Sequence, residues 1–144
     1  MSLIPNYVPS GYKTLNVYLQ VADAHKALAF YNGAFGAEIL QELKDAHGVI
    51  MHAEFKIADT IVLLTETKTP SSTMLQLYTE DAAELINTLV RSGAEIIRPL
   101  EEQFYGAKSG TVRDPFGNTW VISTMMENLT QDQIRERFTN TSPQ

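Results

Sequence analysis

The chain has no cysteine, and it has only 11 lysines and arginines against 17 aspartates and glutamates. The first absence excludes disulfides and thiol nucleophiles and suits a reducing compartment. The second leaves a formal charge of -6. Such a surface lacks the basic excess with which proteins neutralise nucleic-acid phosphates or adhere to anionic membranes. No apolar run approaches the roughly 18 residues that a membrane-spanning helix needs. The opening MSLIPNYVPSGYK lacks the basic start and apolar core of a secretory leader, so a cytoplasmic location is expected. GxGxxG, Walker A, G-x-S-x-G and H-E-x-x-H are all missing, and with them the dinucleotide, nucleotide, serine-hydrolase and zinc-protease chemistries those motifs carry.

What is present is a hydrophobic pattern that runs twice. Residues 1–13 read as an irregular arm, broken by Pro5, Pro9 and Gly11, whose Ile4, Tyr7 and Tyr12 are available to cover a sheet edge or a partner. Thr14–Val21 alternates, with Leu15, Val17, Leu19 and Val21 on one face and Asn16, Tyr18 and Gln20 on the other, and reads as a strand. Asp23 caps an amphipathic helix over 24–35 that stops at Gly36. Strands follow at Ile39–Leu43, Val49–Ile57 and Ile61–Thr65, with His47-Gly48 in a hairpin loop. After the polar connector Lys68–Ser72 the order restarts with a strand at Thr73–Thr79. Asp81-Ala82-Ala83-Glu84 then has capping-box spacing ahead of a helix with Ala82, Leu85, Ile86 and Leu89 on its apolar stripe. Gly36-Ala37-Glu38-Ile39 recurs letter for letter as Gly93-Ala94-Glu95-Ile96. The last hairpin turns at Asp114-Pro115-Phe116-Gly117-Asn118.

The reading is therefore α+β, with two pseudo-repeated β-α-β-β-β modules, residues 14–67 and 73–126, forming a curved mixed sheet around a cleft. The arm 1–13 precedes them, and a C-terminal helix and tail, 127–144, opened by Thr130-Gln131-Asp132-Gln133, completes one structural domain.

On each module, alternation groups polar residues. Asn16, Tyr18 and Gln20 share a face of the first strand, and Met74, Gln76 and Tyr78 share the corresponding face of the fifth. Amides, phenols and a thioether suit a neutral, partly aromatic ligand, and equally the ordinary polar face of a sheet. Tyr105, Lys108 and Trp120 are further candidates for lining a ligand site, with a packing role for the aromatics as the competing reading. His52 and Glu54, two apart on one strand, are the best candidates for general-base chemistry, against a plain solvated pair. His25 and His47 read as surface residues.

Val21-Ala22-Asp23 leading into Ala27-Leu28-Ala29-Phe30-Tyr31 and Phe35-Gly36-Ala37-Glu38, with the closing QFYGAKSGTVRDPFGNTW, resembles the vicinal oxygen chelate superfamily. That superfamily includes glyoxalase I, bleomycin-resistance proteins and ring-cleaving dioxygenases, and the chain looks most like its PhnB-like branch. The resemblance implies metal ligands at positions that fall here on Asn16, Met74, Glu66 and Val121. One amide, one thioether, one carboxylate and a valine do not make a divalent-metal site. No cofactor is expected; if a divalent metal binds, His52, Glu54 and Glu66 are the residues to hold it. The resemblance thus points to a cytoplasmic homodimer that binds a small hydrophobic or aromatic molecule in its cleft without a catalytic metal. The alternatives are a metal-dependent lyase, isomerase or dioxygenase with relocated ligands, and a structural or partner-binding subunit with a filled cleft.

Overall fold

The computed structural model describes residues 7–141; the part of the arm that contains Ile4 lies outside them. The chain divides into two compact units, Met1–Ser72 and Thr73–Gln144. In the first, β1 (Val17–Val21), α1 (Ala24–Phe35), β2 (Glu38–Lys44), β3 (Ile50–Ile57) and β4 (Thr60–Glu66) follow one another. In the second the same series returns as β5 (Met74–Tyr78), α2 (Ala82–Arg91), β6 (Glu95–Glu102), β7 (Ala107–Arg113) and β8 (Thr119–Met125), with α3 (Gln131–Thr141) appended. The sheets are ordered β1-β4-β3-β2 and β5-β8-β7-β6. Each opens with a parallel pair, β1 with β4 and β5 with β8, and continues antiparallel. The expected pair of β-α-β-β-β modules is thus the fold.

The first helix forms because Asp23 accepts the Lys26 amide and Gly36 closes the other end in the left-handed region, φ 66°. It buries Ala24, Ala27, Leu28, Phe30, Tyr31 and Ala34. These pack on Leu19, Val21, Ala53, Phe55 and Leu64, the inward half of each strand's alternation. Tyr31 stacks on Phe55 with centroids 5.3 Å apart. In the second unit Asp81 accepts the Glu84 amide, and Ala82, Ile86 and Leu89 are buried with Val112 and Ile122. Helix and sheet approach so closely there that a Cβ built on Gly110 would lie 2.8 Å from Ile86 Cδ1 and 3.2 Å from the Leu100 Cα. Only glycine fits that spot. At α3, Thr130 Oγ1 accepts the Gln133 amide and Gln133 Oε1 accepts the Thr130 amide, the reciprocal cap expected from the sequence.

Three hairpins use one loop. In Asp114–Asn118 the Asp114 amide donates to the Asn118 carbonyl, the Gly117 amide donates to the Asp114 carbonyl, and Gly117 has φ 92°. Asp45–Val49 repeats this with Gly48 at φ 81°, and Gln103–Ala107 with Gly106 at φ 91°. In the first two, one carboxylate oxygen of the leading aspartate also accepts two loop amides. A three-residue loop closed by a left-handed residue is a common antiparallel connection, and glycine supplies that residue without strain.

The first strand is shorter than expected. Thr14–Asn16 is not part of β1, because Asn16 accepts the Lys13 amide at 3.0 Å and donates to the Lys13 carbonyl at 2.7 Å. That local turn competes with strand pairing and leaves Leu15 88% exposed.

Candidate functional site

On each sheet, the face turned away from its helix carries the chemistry. In the second unit this far face presents Met74, Gln76 and Tyr78 from β5, Ser109, Thr111 and Arg113 from β7, and Val121 and Ser123 from β8. The register pairs Gln76 with Val121, Thr111 with Val121 and Ser109 with Ser123. A concave pocket of about 540 Å³ lies on it, with Met74, Ile97, Phe104, Tyr105 and Val121 among its lining. Arg98, Arg113 and Glu101 supply its charged groups. A line of hydroxyls runs beside it. Tyr105 Oη lies 2.8 Å from Ser109 Oγ, which lies 2.5 Å from Ser123 Oγ, and Gln76 donates to Ser123 at 3.2 Å. Ser109 and Ser123 are buried, so this hydrogen-bonded line is fixed. Ile97 and Ser109 are pocket residues that the sequence reading did not select. The serine's place on the alternating strand was a signal for it.

Alternation moves several sequence candidates. The period that turns Val121 to the far face turns Trp120 inward, where it is 2% exposed and its indole N–H donates to Asp114 Oδ2 at 2.9 Å. Trp120 is therefore a packing residue and not a lining one. Lys108 pairs with Thr124 and shares a small depression with Asp81, Ala82 and Leu100, apart from the pocket. Tyr78 stands on the correct face but outside the pocket, 60% exposed.

In the first unit the far face carries Tyr18, Gln20, His52, Glu54 and Lys56. Tyr18 Oη lies 3.3 Å from His52 Nδ1, and His52 Nε2 lies 3.4 Å from Glu54 Oε2. Tyr12, from the arm, bonds through its hydroxyl to the other oxygen of Glu54. The hydrogen bond to Glu54, helped by burial and the adjacent carboxylate charge, pushes the Tyr12 phenol up to about 12. Gln20 Oε1 accepts from Ser71 Oγ at 2.5 Å. His25 and His47 are exposed, as expected.

The residues at the superfamily's metal positions are otherwise engaged. Asn16 is bound to the Lys13 backbone, and Glu66 Oε1 accepts the Ala24 amide at 2.9 Å, on the helix side of β4. Glu66 therefore does not join His52 and Glu54, and among the described residues no group of three His, Asp or Glu side chains is arranged to hold a metal ion. Met74 and Val121 offer a thioether and no donor. This set does not fit a divalent metal.

With the fold and these two faces in hand, the family follows. The chain belongs to the Glyoxalase/Bleomycin resistance protein/Dioxygenase superfamily, whose model matches residues 13–122. Among its relatives is the uncharacterized protein Mb0911c of Mycobacterium bovis, 28% identical over 135 residues, covering 84% of this chain and 89% of that one. TioX from Micromonospora sp. ML1 has a similar fold, with a TM-score of 0.69, 24% identity and coverage of 79% of this chain and 99% of that one. The PhnB protein of Bacillus cereus also shares the fold, with a TM-score of 0.60, 19% identity and coverage of 78% and 99%. No helix among the described residues is long and apolar enough to cross a membrane.

Proposed function

We propose that the chain is a PhnB-like small-molecule binding protein that takes a flat hydrophobic or aromatic ligand on the far face of its second sheet, without a catalytic metal. The pocket there carries the reading. Its volume of about 540 Å³ lies in the range of small-molecule sites, and such sites combine an apolar lining with a few convergent polar groups. Met74, Ile97, Phe104, Tyr105 and Val121 supply the first, and the Tyr105–Ser109–Ser123–Gln76 line supplies the second. The donor chemistry at Asn16, Met74, Glu66 and Val121 supports the metal-free part.

The exposed Ile39, Leu40 and Leu43 on edge strand β2, and Ile96 and Ile97 on edge strand β6, support a homodimer, because an apolar edge is a surface that association would cover. The absence of cysteine suits the reducing conditions of a cytoplasmic location.

The test is titration of the purified chain with the neutral dye N-phenyl-1-naphthylamine, displaced by a panel of neutral aromatic compounds, for wild type and Val121→Arg. Placing a guanidinium in the lining weakens binding by about tenfold or more. Equal affinity of the two proteins would sink the assignment, and elemental analysis showing a stoichiometric transition metal would replace it with the metal-dependent alternative.

A further inference from the structure

The far face of the first sheet carries three linked polar side chains, Glu54, His52 and Tyr18, which Tyr12 of the arm extends to a line of four that does not serve the core. Leu19, Ala53 and Phe55, their strand neighbours, do the packing. Tyr12 bonds to one oxygen of Glu54; the other lies 3.4 Å from His52 Nε2; His52 Nδ1 lies 3.3 Å from the Tyr18 hydroxyl. An ionised carboxylate only accepts, so it favours the imidazole tautomer with its proton on Nε2. The lone pair of Nδ1 then faces the Tyr18 hydroxyl, which is a donor. The histidine and glutamate side chains are about one-fifth exposed, 23% and 21%, whereas Tyr18 is half exposed. One end of the line is therefore held in place and the other meets whatever approaches the sheet.

The groups that face His52 from the packed elements are few. Tyr18 comes from β1, Thr65 is its partner on β4, and Leu43 is its partner on β2. Thr65 Oγ1 is occupied in donating to the Met51 carbonyl. Beyond Glu54, the same face of β3 carries Lys56, whose β2 partner is Glu38. Leu63 pairs with Tyr18 on β4, so apolar side chains flank the line on both sides. A flat apolar molecule suits such a surface.

We propose that Tyr12, Glu54, His52 and Tyr18 form a metal-independent proton-transfer site for a planar carbon acid, an enolisable aryl ketone in chemical class. Tyr18 Oη takes the proton from the carbon next to the carbonyl and passes its own proton to His52 Nδ1. The C–H electron pair becomes the enolate double bond, and the carbonyl π pair moves to oxygen. Net, one proton has moved from carbon to His52, whose imidazolium is compensated by the Glu54 carboxylate. Reprotonation at carbon runs the same path backwards and needs no oxidant or further reactant. Tyr18 is the group that touches the ketone; Glu54 and Tyr12 are positioning residues. The site shares no residue with the pocket of the second unit, so it stands or falls separately from the binding function.

The probe is 2-tetralone in deuterium oxide with the full chain, following loss of its α-proton NMR signals against free imidazole at equal concentration. Wild type should exceed free imidazole by about 100-fold, the usual lower scale for positioned general-base catalysis. Its rate should survive chelator treatment. His52→Gln should fall to the free-imidazole rate. Tyr18→Phe, which removes the group that touches the ketone, should do the same, whereas Glu54→Gln should lose about tenfold and Tyr12→Phe less, in kcat and not in KM. Circular dichroism checks that each variant folds, and Tyr18→Phe, altered only at an exposed hydroxyl, decides the matter if His52→Gln does not. Wild-type exchange no faster than imidazole, abolition by chelator, or Tyr18→Phe matching wild type would overturn the proposal.

Discussion

The two units share a topology and place different chemistry at the same addresses. Superposing their registers matches Tyr18 with Gln76, His52 with Ser109, Thr65 with Ser123 and Ala53 with Gly110. Where the first unit has an imidazole beside a carboxylate, the second has hydroxyls joined to one another and a pocket next to them. The scaffold positions are interchangeable because a sheet fixes only where a side chain emerges and toward which face. Function is set by which residue stands there. A duplicated fold can thus carry an imidazole–carboxylate pair on one far face and a hydroxyl line beside a pocket on the other without changing a strand.

The comparison can be broken most sharply at the two aspartate-led loops, which have the same backbone but different burial. Asp114 is buried and its carboxylate accepts from the Phe116 and Asn118 amides and the Trp120 indole, whereas Asp45 is exposed and accepts from the His47 and Val49 amides. Asp114→Ala should cost about 3 kcal/mol or more, since buried donors lose a charged acceptor, and Asp45→Ala about 1 kcal/mol. Urea denaturation of the two variants measures the difference; equal losses would mean that burial does not separate the loops.

A smaller effect separates the helix-to-sheet spacings. Gly110→Ala should destabilise by about 1–3 kcal/mol by overpacking, because its Cβ meets Ile86 and the Leu100 backbone. The corresponding Ala53 in the first unit already accommodates a methyl group at full burial. Adding Ile86→Val to Gly110→Ala should recover only part, as the Leu100 contact remains. Full recovery would show that the backbone was free to move.

The smallest effect lies at Tyr12, the arm residue bonded to Glu54. Its phenol is raised to about 12 in the fold from about 10 in an unfolded chain. The stabilisation is therefore complete below pH about 10 and is lost as pH rises through about 12. The stability gap between wild type and Tyr12→Phe should close across that window. A gap that does not change with pH would show that the phenol's ionisation plays no part.

The sequence revealed most of the fold because its signals were local. Asp23, Asp81 and Thr130 cap helices a few residues away, and glycines 48, 106 and 117 sit where their own loops need a left-handed residue. The site was only partly legible. His52, Glu54, Met74, Gln76 and Tyr105 were singled out by type and spacing, and the Tyr12 contact was not, because it joins residues 42 positions apart. Trp120, Lys108 and Glu66 were misjudged for a different reason: each was chosen by chemical type, while strand alternation had already assigned it to the helix side. Asn16 was drawn into β1 by the alternating pattern and held out of it by two bonds to Lys13.

One bond recurs across both units and ties distant parts of each together. The Ala24 amide at the start of α1 donates to Glu66, and the Ala82 amide at the start of α2 donates to Thr124, each across 42 positions. An acceptor for each helix's first turn is therefore delivered by the strand that completes its parallel pair. Hydrogen exchange at these two amides would consequently follow opening of the whole unit, not fraying of the helix end, and the start of each helix becomes a gauge of whether its sheet has closed.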